Sequence, residues 1–559
     1  MSPRETPEEQ APLLRDENAP PSSSGENRLG DDETPILSTL RGAVICSSIG
    51  LMIFLQGANI SILTTTQSAI AADLDAFEEA TWFTSSYLIA MSAFAPLMGR
   101  LSQVFSPRLC MFFSTVLICL GSLITSLANS FSWFLVGRSL TGAGGAGILI
   151  VATILVIQVV SPKRRGLFIG LANTSMTVGL SLGAVIAGAT EPKIGWKPLF
   201  GIQAPISILA GFGILFGLPS GYKAKNSDFE PRSLNEKLAR IDYSGALLLI
   251  AGIILFLLGL SGPRILATPL VLSVFVFAAF VLNEIYGAKD PVIPIMVLRS
   301  RGTLLICFAT VGIMMARWVV LFYTVVYAIA VRGWAPAVAG TILIPTNAGF
   351  AAGGLLAGIF HIRRNGSFYM HTLVANMLFP ATLIVLAFIS TPHSSPALYV
   401  LMVFCNGALA GAGLNYTLVH LLHLTLPEVH PIVLSLLATF RGFSGSFGSA
   451  IGGGIFERVL RTSLVEGFSR AGVEDGTGLI RRLLGSPALV ATLEGQRKEI
   501  AVNAYREGIK TLFLCGTGLA VLMTLVQAGS GWKAPMGRVA ASEDEDVEEE
   551  EEEALAEGA

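Results

Sequence analysis

Fourteen apolar stretches, each long enough to cross a lipid bilayer and almost free of charge, leave this chain few ways to fold. They run at about 43–65, 80–101, 109–127, 132–158, 166–190, 198–218, 243–261, 268–286, 303–330, 337–361, 369–390, 396–423, 432–456 and 509–529. A helix of roughly twenty such residues spans the hydrocarbon core, where every backbone N–H and C=O has to be satisfied within the span. Composition agrees, with 52% hydrophobic and only 14% charged residues, where soluble domains carry about 25% charge. The sequence predicts an all-α polytopic membrane protein with fourteen transmembrane helices.

Loop charge sets the expected orientation. Arg100 and Arg108, Lys163-Arg164-Arg165, the stretch 220–240, Lys289, Arg299, Arg301 and Arg363-Arg364 fall on one side. The opposite loops hold few cations and the acids Asp73, Asp75, Glu78 and Glu79. Basic loops stay in the cytosol, so both termini are expected there. The first forty residues are polar and rich in Pro, Ser and Glu, which predicts a disordered tail with no cleavable signal. The segment near 43–65 then serves as its own insertion signal. Six cysteines lie in apolar spans without metal-ligand spacing and read as packing residues, with no metal site expected.

The expected division is a cytosolic tail (1–40), a six-helix half (41–218), a cytosolic linker (219–242), two inserted spans (243–286), a second six-helix half (303–529) and an acidic cytosolic tail (530–559). The charged, leucine-bearing loop 457–508 reads as amphipathic helix on the non-cytosolic membrane surface. Internal repetition supports the halves. Leu140-Thr141-Gly142-Ala143-Gly144 is echoed by Leu409-Ala410-Gly411-Ala412-Gly413. Ser181 through Gly188 is echoed by Ser446 through Gly453, at nearly the same offset.

Arg138 is followed by Gly142, Gly144, Gly145 and Gly147 inside one apolar span. A guanidinium there has to face a polar or wet interior, and glycines let neighbouring helices approach. This run resembles the R-x-x-x-G-x-G-G signature of major facilitator transporters. Gly99-Arg100-Leu101-Ser102-Gln103-Val104-Phe105-Ser106-Pro107-Arg108 is similar to the family's loop after the second span, with Gln103 where the acid stands and Ser106 for a glycine. Gly183 to Gly188 is similar to the antiporter motif, with Ala184 in place of proline. Gly195-Trp196-Lys197-Pro198-Leu199-Phe200, Asp242-Tyr243-Ser244-Gly245 and Pro291-Val292-Ile293-Pro294 resemble further stretches of the fourteen-span drug:proton antiporters. Thr64 to Ile70 and Trp82 to Leu88 resemble the fungal branch that includes multidrug exporters and vacuolar amino acid transporters. Glu9-Gln10-Ala11-Pro12-Leu13-Leu14 resembles a vacuolar sorting signal.

The resemblance implies a major facilitator fold and a secondary transporter of a small organic solute, an amino acid or a drug. It implies proton-coupled antiport by alternating access, in the vacuolar or plasma membrane. It also places substrate near the midplane between the halves, where Gln56, Asn59, Arg317, Tyr323, Asn347 and Asn415 are the polar candidates. Relatives commonly carry an aspartate where Asn59 stands. Arg317 without a nearby carboxylate suits an anionic or zwitterionic substrate. Gly99, Arg100, Arg108, Arg138, Gly142, Gly183, Gly188 and Arg441 are the gating and motif positions. His361, His371, His420 and His423 are the only histidine candidates for a proton carrier, all near span ends, and Asp242, Glu284 and Glu457 likewise sit at span ends.

The expected partners are the solute and membrane lipid, with no nucleic acid, no cofactor beyond a proton gradient, and a monomeric state. An enzyme is not expected, because no Ser/His pairing, Cys/His ligand set or phosphate-binding glycine loop is present. A non-transporting receptor on the same scaffold is the alternative, opened by Gln103 and Ala184.

Overall fold

The computed structural model describes residues 39–159, 162–218, 242–260, 265–287, 300–358, 368–425, 430–471 and 476–531. The expected tails, the linker 219–241, the stretch 291–294 and the side chains of Arg100 and Gln103 lie outside what is described. Every regular element among the described residues is helical. Eleven of these helices are long and apolar enough to cross a membrane.

The first six are α1 (Thr39–Asp73), α2 (Ala80–Val104), α3 (Pro107–Leu127), α4 (Phe131–Val159), α5 (Pro162–Ile194) and α6 (Lys197–Gly217, broken at Ile202). Two peripheral helices follow, α7 (Tyr243–Leu260) and α8 (Ala267–Gly287). The remainder are α9 (Arg301–Val331), α10 (Pro336–Leu356, broken near Ile342), α11 (Tyr369–Ile389), α12 (Pro396–His423), α13 (His430–Arg470), the short α14 (Gly476–Gly485) and α15 (Gly495–Ala528). The helices α2, α5 and α13 are as long as the others but are not among the eleven, since charge or small polar residues dilute their apolar windows.

Helices α1–α6 pack into one bundle and α9–α15 into another, and the pair α7–α8 lies against α2 and α13. The repeated glycine segments explain why the two bundles look alike. Gly142 of α4 sits directly on the Tyr87 carbonyl of α2, and Gly411 of α12 sits on the Phe350 carbonyl of α10. Gly183 of α5 packs on Ala58 and Ser61 of α1, while Gly448 of α13 packs on Met315 and Trp318 of α9. Small residues at these crossings let backbones touch, which lipid-facing apolar side chains could not drive by themselves.

The segment after residue 457 departs from the expected surface loop. Helix α13 continues unbroken to Arg470, and α15 already begins at Gly495. Leu460, Leu464 and Phe468 on the extension are buried in the second bundle's core, so apolar packing carries the helix beyond the membrane. The strongly amphipathic α14 buries Leu483, whose carbonyl accepts the Tyr505 hydroxyl, and lies on protein at the α1–α2 turn.

Candidate functional site

A cleft with about 650 Å³ of empty space, part of it open to solvent, lies between the bundles at the end that bears the α1–α2 turn. Thr64 and Gln67 of α1, Thr81 and Thr84 of α2, Tyr323 of α9 and Glu457 of α13 give it a polar lining. Helices α2 and α13 are stitched together below it by hydroxyls. Ser85 and Ser449 are 3.1 Å apart, Ser92 and Ser446 are 2.7 Å apart, and Ser92 also donates to the Gly442 carbonyl at 3.3 Å. On the other flank, Gly188 of α5 packs on Ala337 of α10, and the Ser181 hydroxyl donates to the Leu343 carbonyl at 3.4 Å. From Thr81 to Ser92 this seam covers roughly 16 Å of helix at 1.5 Å per residue.

Glu457 is the buried carboxyl of the cleft. It is 4% exposed, one oxygen accepts the Thr81 hydroxyl of the opposite bundle at 3.3 Å, and the other has no hydrogen bond among the described residues. It follows the apolar stretch 432–456, and burial pushes its pKa from 4.5 up to about 7 against the weaker opposing effects of the Thr81 hydroxyl and Arg461. Charge pairs surround it at the surface: Arg461 lies 3.7 Å from Glu78, and Arg481 of α14 lies 3.6 Å from Asp75.

The polar residues expected to meet substrate are divided between the bundles. Asn59 accepts from Arg138 and donates to Gln203 at 2.7 Å, all inside the first bundle. Arg138 is fully buried, also donates from Nε to the Phe83 carbonyl at 3.2 Å, and lies 4.7 Å above the Tyr87 ring. Gln56 donates to the Gly145 carbonyl at 3.1 Å in the same bundle. Arg317 instead holds the Thr346 carbonyl at 2.9 Å and Asn347 at 3.5 Å inside the second bundle, 5.6 Å over the Phe350 ring. Asn415 ties α12 to the Gly354 carbonyl of α10 at 2.8 Å. Asn59 and Gln56 therefore make their bonds in one bundle and Arg317 in the other. Tyr323 is the expected substrate residue that does line the cleft, its ring 4.7 Å from that of Phe456.

The motif positions sort by packing. Gly142 and Gly183 serve crossings within the first bundle, and Gly188 serves the crossing between bundles. Gly99 meets Ile150 at ordinary contact distance, and Arg108 stands half-buried in the first turn of α3. Arg441 is exposed. It shares a helix face with Gly445 and Gly448, four and seven residues on, which pack on Trp318 of α9 and, for Gly445, Leu88 of α2. That face of α13 is turned mainly toward α9 of its own bundle.

The seam residues Thr81, Ser85 and Ser92 are not singled out by the sequence, and Glu457 stands out there only as an acid at a span end. Their signal is periodic: Thr81, Ser85 and Ser92 share one face of α2, as Ser446, Ser449, Gly453 and Glu457 share one of α13.

Residues 49–449 match the family model described as Major Facilitator Superfamily. The chain is 26% identical over 534 residues to the MFS-type transporter ppz2 of Metarhizium majus, covering 91% of this chain and 90% of that one. It is 25% identical over 463 residues to the multidrug resistance protein fnx1 of Schizosaccharomyces pombe, covering 81% and 85%. A solved bacterial homologue of the human lysosomal transporter Spinster, inward-facing and unoccupied, superposes with a TM-score of 0.60 at 16% identity, covering 88% of this chain and 97% of that one.

Proposed function

This chain belongs to the major facilitator superfamily, and from that premise we propose that it moves a small organic solute, amino-acid-like or drug-like, by proton-coupled antiport. In this reading α1–α13 and α15 are fourteen spans, arranged as two six-helix halves with α7 and α8 inserted between them. The basic loops and both termini face the cytosol, and the membrane is that of the vacuole or the cell surface. The names of the relatives, a multidrug resistance protein among them, favour a drug-like solute.

The observation that carries the reading is the seam. Two bundles that pack internally through glycine-to-backbone contacts meet each other through paired hydroxyls and a polar cleft. Each hydroxyl pair contributes on the order of 1 kcal/mol, so the halves can part without unfolding either bundle. Alternating access needs two arrangements within a few kcal/mol of each other.

Arg441, exposed on α13 one residue before the Gly442 carbonyl that accepts Ser92, is the cation near the seam to meet an anionic or zwitterionic part of the solute. Arg317 has the different task of holding the broken helix α10. The test is flux in proteoliposomes under an imposed pH gradient, with a panel of labelled amino acids and the cationic dye rhodamine 6G. Gradient-driven flux of a probe carrying a carboxylate, lowered at least tenfold by Arg441→Ala and partly restored by Arg441→Lys, is expected. Rhodamine flux indifferent to both substitutions would refute the anionic assignment and leave a cation exporter. Absence of flux for every probe would refute transport of these classes.

A further inference from the structure

The mouth of the cleft holds a feature that solute binding does not require. Four contacts cross it within a few residues of one another. Thr81 donates to Glu457, Arg461 faces Glu78, Arg481 faces Asp75 and donates to its carbonyl at 3.3 Å, and Gly485 packs on the Phe77 backbone. Three of the four involve exposed or backbone groups. Glu457 differs. Its carboxyl is buried, its single hydrogen bond comes from the other bundle, and its second oxygen is without one.

Resting on the transporter reading, we infer that Glu457 is a proton-operated latch: its carboxyl takes up a proton from the mouth-side water as the two bundles close on it, and gives that proton up when they part. The groups that face it are Glu78 from the α1–α2 turn, Arg458 and Arg461 on α13, and the Tyr323 ring of α9. Arg461 lies within reach of Glu78 as well, so its charge is shared with a competing acid. Arg458 has a guanidinium nitrogen without a hydrogen bond and is not salt-bridged to Glu457 among the described residues. The closed mouth thus provides a hydroxyl donor and an apolar wall of Phe456 and Leu484. The hydroxyl favours the carboxylate, but burial against that wall outweighs it and favours the neutral acid. In the parted state Thr81 and Glu457 both return to water, and the acid regains ordinary strength.

The sign follows from linkage. A group that binds its proton more tightly in the closed state favours closure fully below its ordinary value of 4.5 and loses that contribution as pH rises to about 7. Across that window the closed-to-parted ratio is expected to fall by about tenfold per pH unit, and to stay level above it. Among the described residues Glu457 is thus a titrating group on the surface where the halves meet.

The test places spin labels at Leu127→Cys on α3 and Arg470→Cys on α13, both exposed at the mouth end and outside the latch, with the six native cysteines replaced by alanine. Distances are measured by pulsed electron resonance in nanodiscs between pH 4.5 and pH 8. The full chain is expected to show mostly the short distance at low pH, with a longer one growing through pH 5 to 7. Glu457→Gln, a neutral isostere, should hold the short distance at every pH, and Thr81→Val should enlarge the long fraction at low pH. A pH-independent distribution in the parent, or a response in Glu457→Gln as large as the parent's, would overturn the latch. Rhodamine 6G flux measured in parallel separates the two readings. A pH-responsive mouth without flux supports the latch and counts against transport of that dye, whereas flux with a pH-indifferent mouth overturns the latch alone.

Discussion

Arg138→Ala is expected to cost about 2–4 kcal/mol of stability, from a hydrogen bond lost in the interior and the void left behind. The side chain is fully buried on α4 and reaches three neighbouring helices. Its Nε donates to the Phe83 carbonyl of α2, its Nη1 to Asn59 of α1, and its plane lies 4.7 Å from the Tyr87 ring and 5.7 Å from that of Phe200 on α6. Removing it strands the Asn59 oxygen in the interior, at about 1–3 kcal/mol, takes the second bond from the Phe83 carbonyl, and leaves a void under two aromatic rings. Arg138→Lys should recover only part of the loss. An ammonium has no planar fork to serve two acceptors on different helices while lying flat on Tyr87. Melting of the purified proteins in one detergent, followed by tryptophan fluorescence, checks this. An Arg138→Ala protein that melts with the parent would refute the structural role of the network.

That role shows where sequence reasoning reaches and where it stops. The helices were legible because long, charge-free stretches have one solution in a bilayer, and the glycine motifs because backbone contact demands small residues. The facing of each polar residue was not legible. Around Asn59 the polar residues of α1 are not gathered on one helix face, so nothing in the sequence separates the face toward lipid from the faces toward α4, α6 or the cleft. Asn59 and Arg317 both read as substrate residues because each is polar near a span centre, and each makes hydrogen bonds to a neighbour in its own bundle. Asn59 found Arg138 and Gln203, residues distant in sequence, and no local pattern announces such a meeting. The region after residue 457 was misjudged for a related reason. Charge there marks the exit from hydrocarbon, but it does not end a helix whose next turns bury Leu460 and Leu464. Glu457 lay at that boundary, where its burial depends wholly on α2 coming from the other bundle.

The paired glycines permit a sharper expectation than any single charge, because the two bundles supply independent copies of one experiment. Gly142→Ala and Gly411→Ala should each lower stability by about 1–3 kcal/mol, the usual cost of forcing atoms into a filled space. A Cβ at Gly142 would overlap the Tyr87 carbonyl oxygen, and one at Gly411 the Phe350 carbonyl oxygen. Both obstacles are backbone atoms in the middle of helices, which cannot swing aside as a side-chain tip can. Gly518→Ala in α15 has the opposite sign. Nothing lies within 4 Å of an added Cβ there, and exchanging glycine for alanine inside a helix ordinarily adds about 0.5–1 kcal/mol. Since the first two sites lie in different bundles with no shared neighbours, their effects should sum in the double variant to within about 0.5 kcal/mol. Melting temperatures of the three single variants and the double one decide the matter. If Gly142→Ala or Gly411→Ala matched Gly518→Ala, the close crossings of α4 on α2 and α12 on α10 would be wrong. With them would go the account of why each bundle is rigid enough to move as a body.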